Sequence, residues 1–192
     1  MSEGRFAGAE FVEVRFGGSG GQGVILMGVI LAVAATRDHL YVVQTQSYGP
    51  EARGGYSRSD VILARRPIEY PQLQGIDLLV VLSEEAARRY AGLLRKNGVF
   101  IYDSEKVRER RFAGESYAVP FTRLTEEVTG REQSTNVLSL AAAVKFTGLV
   151  TQKSLELAVR GMVPSATVDV NMRALEKGLS LSAEDWRIEV PV

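Results

Sequence analysis

Two glycine-rich stretches contain the residues whose types and spacing are best suited to chemistry. The first, at 17–23, reads Gly-Gly-Ser-Gly-Gly-Gln-Gly and holds five glycines in seven residues. Because glycine adopts positive φ angles freely and has no side chain, such a loop lets backbone N–H groups converge on a bound group. A helix after the loop adds its first N–H groups and the positive end of its dipole, which favour a phosphate. The first stretch therefore predicts a phosphate-binding unit of strand, loop and helix.

The second stretch, at 47–55, reads Ser-Tyr-Gly-Pro-Glu-Ala-Arg-Gly-Gly. It follows a predicted strand, and open α/β sheets bind ligands at the carboxyl edge of their strands. Arg53 is suited to a bidentate contact with a phosphate, and Glu51 to orienting that guanidinium group. The stretch therefore predicts a companion to the first loop. In the alternative interpretation, Arg53 and Glu51 only hold the loop together, while Tyr48 packs on the core.

The glycine loop also matches the dinucleotide-binding pattern, since 18–23 has the spacing Gly-x-Gly-x-x-Gly. A nicotinamide-dependent dehydrogenase needs an acidic residue at the end of the second strand, but that strand runs into Gln44 and Gln46. Asp38 lies about 20 residues after Gly18, as the pattern asks, although it precedes the strand. The sequence therefore disfavours a stand-alone dehydrogenase. A turn that only packs a helix close to a strand is a further alternative.

The other candidate residues point to structural roles. His39 is the single histidine of the chain and cysteine is absent, so the further residues needed for a metal site or a catalytic triad are missing. Asp77 and Asp103 lie on or at the end of predicted strands, where capping of the following loop or helix is the commoner role. No Gly-Lys-Ser/Thr follows the glycine loop, which argues against a Walker-type NTPase.

The elements predicted around these loops alternate between strands and helices, which indicates an α/β fold. Hydrophobic periodicity and turn residues predict strands at 11–16, 40–43, 59–63, 76–82, 99–102 and 116–120, and helices at 24–36, 84–96, 121–128, 134–146, from 151, and from 164 with Gly178 as an alternative end. We expect one domain over 1–192, a three-layer Rossmann-like unit with a mostly parallel sheet in 11–120 and a helical C-terminal part in 134–180.

Composition restricts the class of protein further. The 192 residues include 23 basic and 23 acidic side chains, so no overall field favours nucleic acid or an anionic membrane. Cysteine is absent, which excludes disulfides and cysteine-ligated clusters supplied by this chain alone. The longest apolar stretch, 24–35, is too short to span a bilayer, and no signal-like core precedes it. We therefore expect a cytoplasmic protein with no membrane span.

Three strings of residues closely resemble the gamma chain of the 2-oxoacid:ferredoxin oxidoreductases. They are Phe-Gly-Gly-Ser-Gly-Gly-Gln-Gly at 16–23, Gln-Ser-Tyr-Gly-Pro-Glu-Ala-Arg-Gly-Gly at 46–55, and Ser-Arg-Ser-Asp at 57–60. The resemblance continues through 77–80 and 135–138 into the C-terminal helices, so it covers nearly the whole chain. The second string looks most like the 2-oxoglutarate-type members, and the pyruvate, branched-chain and indolepyruvate members stay open.

The resemblance implies that this chain is one subunit of an enzyme that decarboxylates a 2-oxoacid on thiamine diphosphate, passes electrons through iron–sulfur clusters to ferredoxin, and transfers the acyl group to coenzyme A. The implied partners are alpha and beta subunits, with a delta subunit left open, and ferredoxin through the complex. Thiamine diphosphate, its magnesium and the clusters are expected in the partner subunits. The chain is expected to be inactive alone, with no catalytic residue and no metal ligand of its own.

Coenzyme A is the one ligand that the resemblance implies at or near this chain. Its diphosphate and 3′-phosphate suit the glycine loop and Arg53, although a purely structural interaction subunit remains an alternative. The candidate binding residues are Gly18, Ser19, Gly20, Gly21, Gln22, Gly23, Ser47, Tyr48, Gly49, Glu51, Arg53, Gly54 and Gly55.

Overall fold

The computed structural model describes residues 4–49, 55–108, 112 and 114–188. Its six strands are β1 (Phe11–Ser19), β2 (Tyr41–Tyr48), β3 (Tyr56–Ala64), β4 (Ile76–Val81), β5 (Leu94–Asp103) and β6 (Glu115–Val119). Its six α-helices are α1 (Val24–Arg37), α2 (Glu84–Tyr90), α3 (Phe121–Thr129), α4 (Thr135–Thr147), α5 (Gln152–Met162) and α6 (Val168–Ser180). None of these helices combines the length and the hydropathy needed to cross a bilayer.

The strands form one mixed sheet in the order β2-β3-β1-β4-β5-β6. Only β3 runs against the others, because it pairs antiparallel with both β1 and β2 whereas the remaining pairs are parallel. The reversal follows from the short connection between β2 and β3, since parallel neighbours need a long crossover. The predicted α/β class with a mostly parallel sheet is confirmed, and the carboxyl ends of five strands meet at one edge.

Helices cover the two faces of the sheet unequally. Helices α1 and α3–α6 pack on one face, against inward side chains such as Val14, Phe16 and Leu78. The short helix α2 packs on the other face, where Tyr90 joins Leu79 and Phe100. We call these the multi-helix face and the α2 face. Along β1 the even-numbered residues point to the former and the odd-numbered ones to the latter.

The predicted helix at 84–96 is shorter in the structure. Helix α2 ends at Tyr90, and Leu94 already pairs with Ile76 of β4. The reason is electrostatic: the Arg95 guanidinium donates to Asp77 Oδ1 over 2.7 Å and also to the buried carboxylate of Glu13. These partners draw the segment into the sheet and out of the helix.

Gly178 does not end the last helix, because α6 continues to Ser180. A Cβ at this position would collide with the carbonyl oxygen of Leu138 and with Ala141 on α4. The glycine therefore allows α4 and α6 to approach closely. The predicted start of α5 is confirmed, because Thr151 caps this helix by accepting the Ser154 N–H over 3.2 Å.

Residues after α6 return to the sheet and lie along the outer edge of β6. The Ala118 N–H donates to the Trp186 carbonyl over 3.0 Å, and the Ile188 N–H donates to the Ser116 carbonyl over 2.8 Å. Tyr117 and Arg187 form an antiparallel bridge between these bonds. The C-terminal segment thus caps this edge of the sheet.

Candidate functional site

The glycine stretch is partly strand. β1 runs through Gly17, Gly18 and Ser19, which pair with Arg58, Ser57 and Tyr56 of β3. A Cβ at Gly17 would lie 3.0 Å from both Ala86 and Tyr90, so this glycine lets α2 pack closely on β1. Gly18 likewise leaves room for Gln22 and Val24.

The turn itself, 20–23, is held by the side chain of Gln22. The Ser19 N–H donates to Gln22 Oε1 over 2.7 Å, and Gln22 Nε2 donates to the Leu82 carbonyl over 2.8 Å. The amide therefore connects the end of β1 with the segment after β4. Both of its polar atoms bond within the protein, so the side chain of Gln22 shapes the loop.

Gly23 begins α1 and is fixed by α4. Its φ of 72° lies in the left-handed region. A Cβ there would collide with the amide of Asn136, whose Nδ2 donates to the Gly23 carbonyl over 3.3 Å. Asn136 was not predicted as part of the site, and the 135–138 string of the family resemblance was its only signal.

A direct hydrogen bond joins the two glycine-rich loops. The Gly20 N–H donates to the carbonyl of Gly55 over 2.8 Å, and the Gly49 N–H donates to the Tyr56 carbonyl over 2.7 Å. Ser47 and Tyr48 belong to β2, so the second loop is 49–55.

Three of the predicted site residues, Glu51, Arg53 and Gly54, lie outside the described part of the chain. The structure thus brings the ends of both predicted loops together at the carboxyl edge of the sheet.

The turn offers free donors to a ligand. Ser19, Gly20 and Gln22 donate their N–H groups to protein acceptors, but within the described residues no acceptor takes those of Gly21 and Gly23. Gly21 has a φ of 91°, and no atom of the described residues lies within 4 Å of an added Cβ. Together with the first turn of α1, these N–H groups suit an anion.

Positive charge lies beneath the loops on the α2 face. Arg15 donates to both oxygens of Asp60, from Nε over 2.6 Å and from Nη2 over 2.7 Å, and both side chains are buried. Arg58 Nε lies 3.8 Å from the same carboxylate and its side chain is 38% exposed. Two guanidinium groups therefore share one carboxylate, which leaves a net positive charge next to Gly17. This cluster was not predicted from the sequence.

Two aromatic rings border the arginine cluster. The Arg15 guanidinium lies 4.9 Å from the ring centre of Tyr90, and that of Arg89 lies 3.9 Å from the ring centre of Tyr56. Burial raises the pKa of the Tyr90 hydroxyl, while the nearby charges of Arg58 and Arg15 oppose that rise. The uncharged Tyr90 ring therefore packs against the buried ion pair of Arg15 and Asp60.

The acid considered for a nicotinamide ribose has another role. Asp38 accepts hydrogen bonds from the Thr151 N–H over 2.6 Å and from the Thr151 hydroxyl over 2.8 Å, which fastens the start of α5. His39 next to it has a φ of 61° and an exposed side chain in the turn after α1. Neither residue faces the glycine loop, so the dehydrogenase interpretation loses its ribose-binding acid.

The two strand acids are also accounted for. Asp103 is fully buried and accepts from the Thr122 N–H over 3.1 Å and from the Thr122 hydroxyl over 2.6 Å, so it caps α3 as predicted. Burial raises the pKa of this carboxyl, although the Thr122 hydrogen bonds oppose the rise. Asp77 instead accepts the Glu13 N–H over 2.8 Å and pairs with Arg95.

The chain matches a protein-family model and several known proteins. The family model described as pyruvate ferredoxin/flavodoxin oxidoreductase matches residues 13–181. The 2-oxoglutarate synthase subunit KorC of Methanocaldococcus jannaschii is 39% identical over 176 residues, covering 90% of this chain and 94% of the relative. The common gamma subunit of the pyruvate/ketoisovalerate oxidoreductases of Pyrococcus furiosus is 32% identical, covering 85% and 92%.

A solved structure shares the fold over nearly its whole length. The gamma subunit of a keto/oxoacid ferredoxin oxidoreductase from Geobacter sulfurreducens superposes with a TM-score of 0.83 at 37% identity, covering 94% of this chain and 100% of that one. The architecture described above is therefore that of a known subunit type.

Proposed function

This chain belongs to the pyruvate ferredoxin/flavodoxin oxidoreductase family, and from that membership we propose that it acts as the gamma subunit of a 2-oxoacid:ferredoxin oxidoreductase. Its relatives are subunits of oxidoreductases, so its activity belongs to an assembled complex. In that complex the chain helps to bind coenzyme A and to hold the subunits together.

The proposed 2-oxoacid is 2-oxoglutarate. The relative named for 2-oxoglutarate synthase is 39% identical, whereas the relative named for pyruvate and ketoisovalerate is 32% identical. The reaction converts 2-oxoglutarate, coenzyme A and oxidised ferredoxin into succinyl-CoA, carbon dioxide and reduced ferredoxin. Reconstituting the complex and measuring which 2-oxoacid reduces ferredoxin tests this choice, and a preference for pyruvate would overturn it.

The hydrogen bond between Gly20 and Gly55 is the observation that carries the proposal of coenzyme A binding. The bond joins the end of the second loop to the first loop at one edge of the sheet, next to the N–H groups of Gly21 and Gly23, for which the described residues offer no acceptor. Coenzyme A carries a diphosphate and a 3′-phosphate, and a turn of this kind suits one of them. Arg53, two residues before Gly55 in the sequence, supplies a cation suited to the other.

The division of labour in the complex follows from the residues that this chain lacks. It has no cysteine for iron–sulfur clusters. Thiamine diphosphate and the clusters, when bound by the partner subunits, supply decarboxylation and electron transfer. The role of this chain is to hold the phosphates of coenzyme A so that the thiol end extends toward the partner.

Replacing Arg53 in the reconstituted complex tests the assignment. Losing a charge-assisted hydrogen bond worth about 1.5–3 kcal/mol raises the KM for coenzyme A by roughly tenfold to a hundredfold in Arg53→Ala. Decarboxylation of the 2-oxoacid stays unchanged, because it precedes acyl transfer. Arg160→Ala is the matched control, since Arg160 is exposed and its ion pair among the described residues is with Glu156 on α5. An unchanged KM in Arg53→Ala removes this residue from the site.

A pair of glycine variants tests the first loop separately. Gly21 and Gly8 both have positive φ, 91° and 75°, and an added Cβ has nothing within 4 Å at either position. Alanine therefore strains both backbones similarly, but only Gly21→Ala is expected to weaken coenzyme A binding. A purely structural subunit predicts equal, small effects of both variants and no change in amide exchange of either loop when coenzyme A is added.

A further inference from the structure

We propose that the outer edge of β2 is a docking site on which a partner subunit of the complex adds an extended strand to the sheet. β2 ends the strand order, and no described strand lies beyond it. Backbone N–H and C=O groups along such an edge are a template for pairing with another chain. This inference rests on the proposed function in one respect, namely that the chain works with other subunits.

The composition of β2 is unusual for an edge that faces solvent. Its eight residues read Tyr-Val-Val-Gln-Thr-Gln-Ser-Tyr and include no charged residue and no proline. Tyr41 and Tyr48 at its ends are 50% and 65% exposed. The pairing with β3 runs without a shift from Tyr41 and Ala64 to Tyr48 and Ser57, so no bulge twists the edge away. Charges, prolines and bulges are the means by which proteins protect free edges.

The opposite edge of the same sheet is protected. Residues 186–188 of the chain itself hydrogen-bond along β6. Charges surround that edge, where Glu115 accepts from Arg5 over 3.0 Å and from Arg187 over 3.4 Å. The chain therefore caps one edge with its own backbone, whereas no strand among the described residues pairs with the other edge, whose strand β2 carries no charged side chain.

Exposed aromatic side chains extend the surface beside β2. Phe11 of β1 and Tyr41 of β2 both lie opposite Ala64 in the register, on the α2 face, and Phe11 is 45% exposed. The small Ala64 between them leaves both rings about half exposed. Phe11 also lines an open cleft of about 360 Å³ with Ile68 and Tyr70, whose ring is exposed too. Arg66 and Glu69 line the same cleft, so this surface combines exposed rings with charged groups. Exposed aromatic side chains such as Phe11 and Tyr41 are typical of a subunit contact.

The size of the edge favours a partner that makes further contacts. Eight residues at ~3.4 Å each and a sheet ~10 Å thick give a footprint of roughly 270 Å² per side. A stable interface buries about 800 Å² per partner. Strand pairing alone is therefore too small, and the occupant must also contact neighbouring surface such as the aromatic side chains or the loop edge.

The position of the edge favours a different subunit over a second copy of this chain. β2 leads directly into the loop 49–55, so a strand laid along it borders the proposed coenzyme A site. The subunit that holds the acyl group must come close to that site. A second copy paired antiparallel about a two-fold axis places its own loops at the opposite end of β2. The occupant we infer is an extended, uncharged segment of a partner subunit, with an apolar side chain facing Tyr41 and Phe11.

Lysine substitution in the co-expressed complex tests the proposal. Thr45 and Gln46 are exposed and point to opposite faces, so Thr45→Lys/Gln46→Lys puts a charge on each side of the edge. We expect association with the partner subunits to weaken at least tenfold, with the circular dichroism spectrum of the isolated chain unchanged. Gln133→Lys/Ala166→Lys adds the same charge at two exposed positions away from β2 and is expected to assemble normally.

Amide exchange of the unmodified chain gives an independent readout that does not depend on the variant folding. The β2 amides are expected to exchange more slowly in the complex than in the isolated chain. Equal exchange in both states, or normal assembly of the lysine variant, overturns the proposal. So does an isolated chain that dimerises through β2 and loses only the dimer in the variant. If the unmodified chain itself fails to join partner subunits, the proposed function fails with it.

Discussion

In the arginine cluster beneath the loops, we predict that Asp60 and Arg15 contribute unequally to stability, although they form one ion pair. Arg15 and Asp60 are buried together, and Arg58 lies 3.8 Å from Asp60 on the exposed side. Removing Asp60 takes away the carboxylate that the described residues supply to two guanidinium groups, one of them buried. Removing Arg15 leaves Asp60 with Arg58 as a reserve partner. The two halves of one ion pair are therefore not equivalent.

The magnitudes follow from burial. Leaving an uncompensated charge in a buried pair costs about 3–5 kcal/mol, so we expect Asp60→Asn to lower the free energy of unfolding by that amount. In Arg15→Met the thioether chain keeps the packing on Tyr90, and the loss is that of charged hydrogen bonds, about 1.5–3 kcal/mol. Since domains are stable by only about 5–15 kcal/mol, both effects are measurable by urea denaturation.

A double-mutant cycle isolates the role of Arg58. Arg58→Ala alone removes a partly exposed contact and costs ~1 kcal/mol or less. In the Arg15→Met background the same change removes the last cation beside Asp60 and costs more. Arg160→Ala serves as the exposed-pair control. If Arg15→Met destabilises the chain as much as Asp60→Asn, or if Arg58→Ala has the same effect in both backgrounds, the reasoning about a reserve partner is refuted.

Two further predictions concern helical glycines and a buried carboxyl group. Gly178→Ala is expected to destabilise the chain by about 1–3 kcal/mol, because the added methyl group collides with the Leu138 carbonyl. In Gly161→Ala on α5, the added methyl group meets no described atom within 4 Å, so this variant is expected to stabilise the chain by up to ~1 kcal/mol. Thermal denaturation measures both effects. Burial raises the pKa of the Asp103 carboxyl above its ordinary value of 3.8, so this group favours the folded state most at low pH and that contribution is lost as pH rises through the folded pKa. An NMR titration is expected to show the raised pKa and, in Thr122→Val, a further increase, because that variant loses the hydroxyl hydrogen bond that stabilises the ionised carboxylate. A pKa at or below 3.8 contradicts this account.

Local patterns predicted much of the fold and the proximity of the two glycine-rich stretches. Alternating strands and glycine turns indicated the α/β class, and the rule that strand ends share an edge predicted that the two loops lie close together. The extents of β1 and β2 were underestimated because pairs such as Ser19 with Tyr56 depend on a partner strand far along the sequence. The end of α2 was wrong for the same reason, since Arg95 is drawn to Glu13, 82 residues away.

The buried part of the site was the least predictable. Arg15 and Asp60 lie 45 residues apart, and their contact exists only because β3 runs antiparallel to β1 in one register. A sequence read as a mostly parallel sheet gives no reason to place them side by side. Gly178 was ambiguous for a related reason, because glycine both ends helices and permits close packing, and only the position of α4 distinguishes the two roles.

The single reversed strand, β3, has a consequence for how this subunit type can diversify. β2 ends and β3 begins at the same edge of the sheet. The hydrogen bonds from Gly49 to Tyr56 and from Gly20 to Gly55 therefore fix both ends of the loop between these strands. Residues can be inserted or deleted between those two ends without shifting any strand. Doubling the length of a loop costs only about 0.6 kcal/mol in closure entropy. The length of this loop can therefore change while the sheet stays the same, and longer or shorter loops can be grafted at this position.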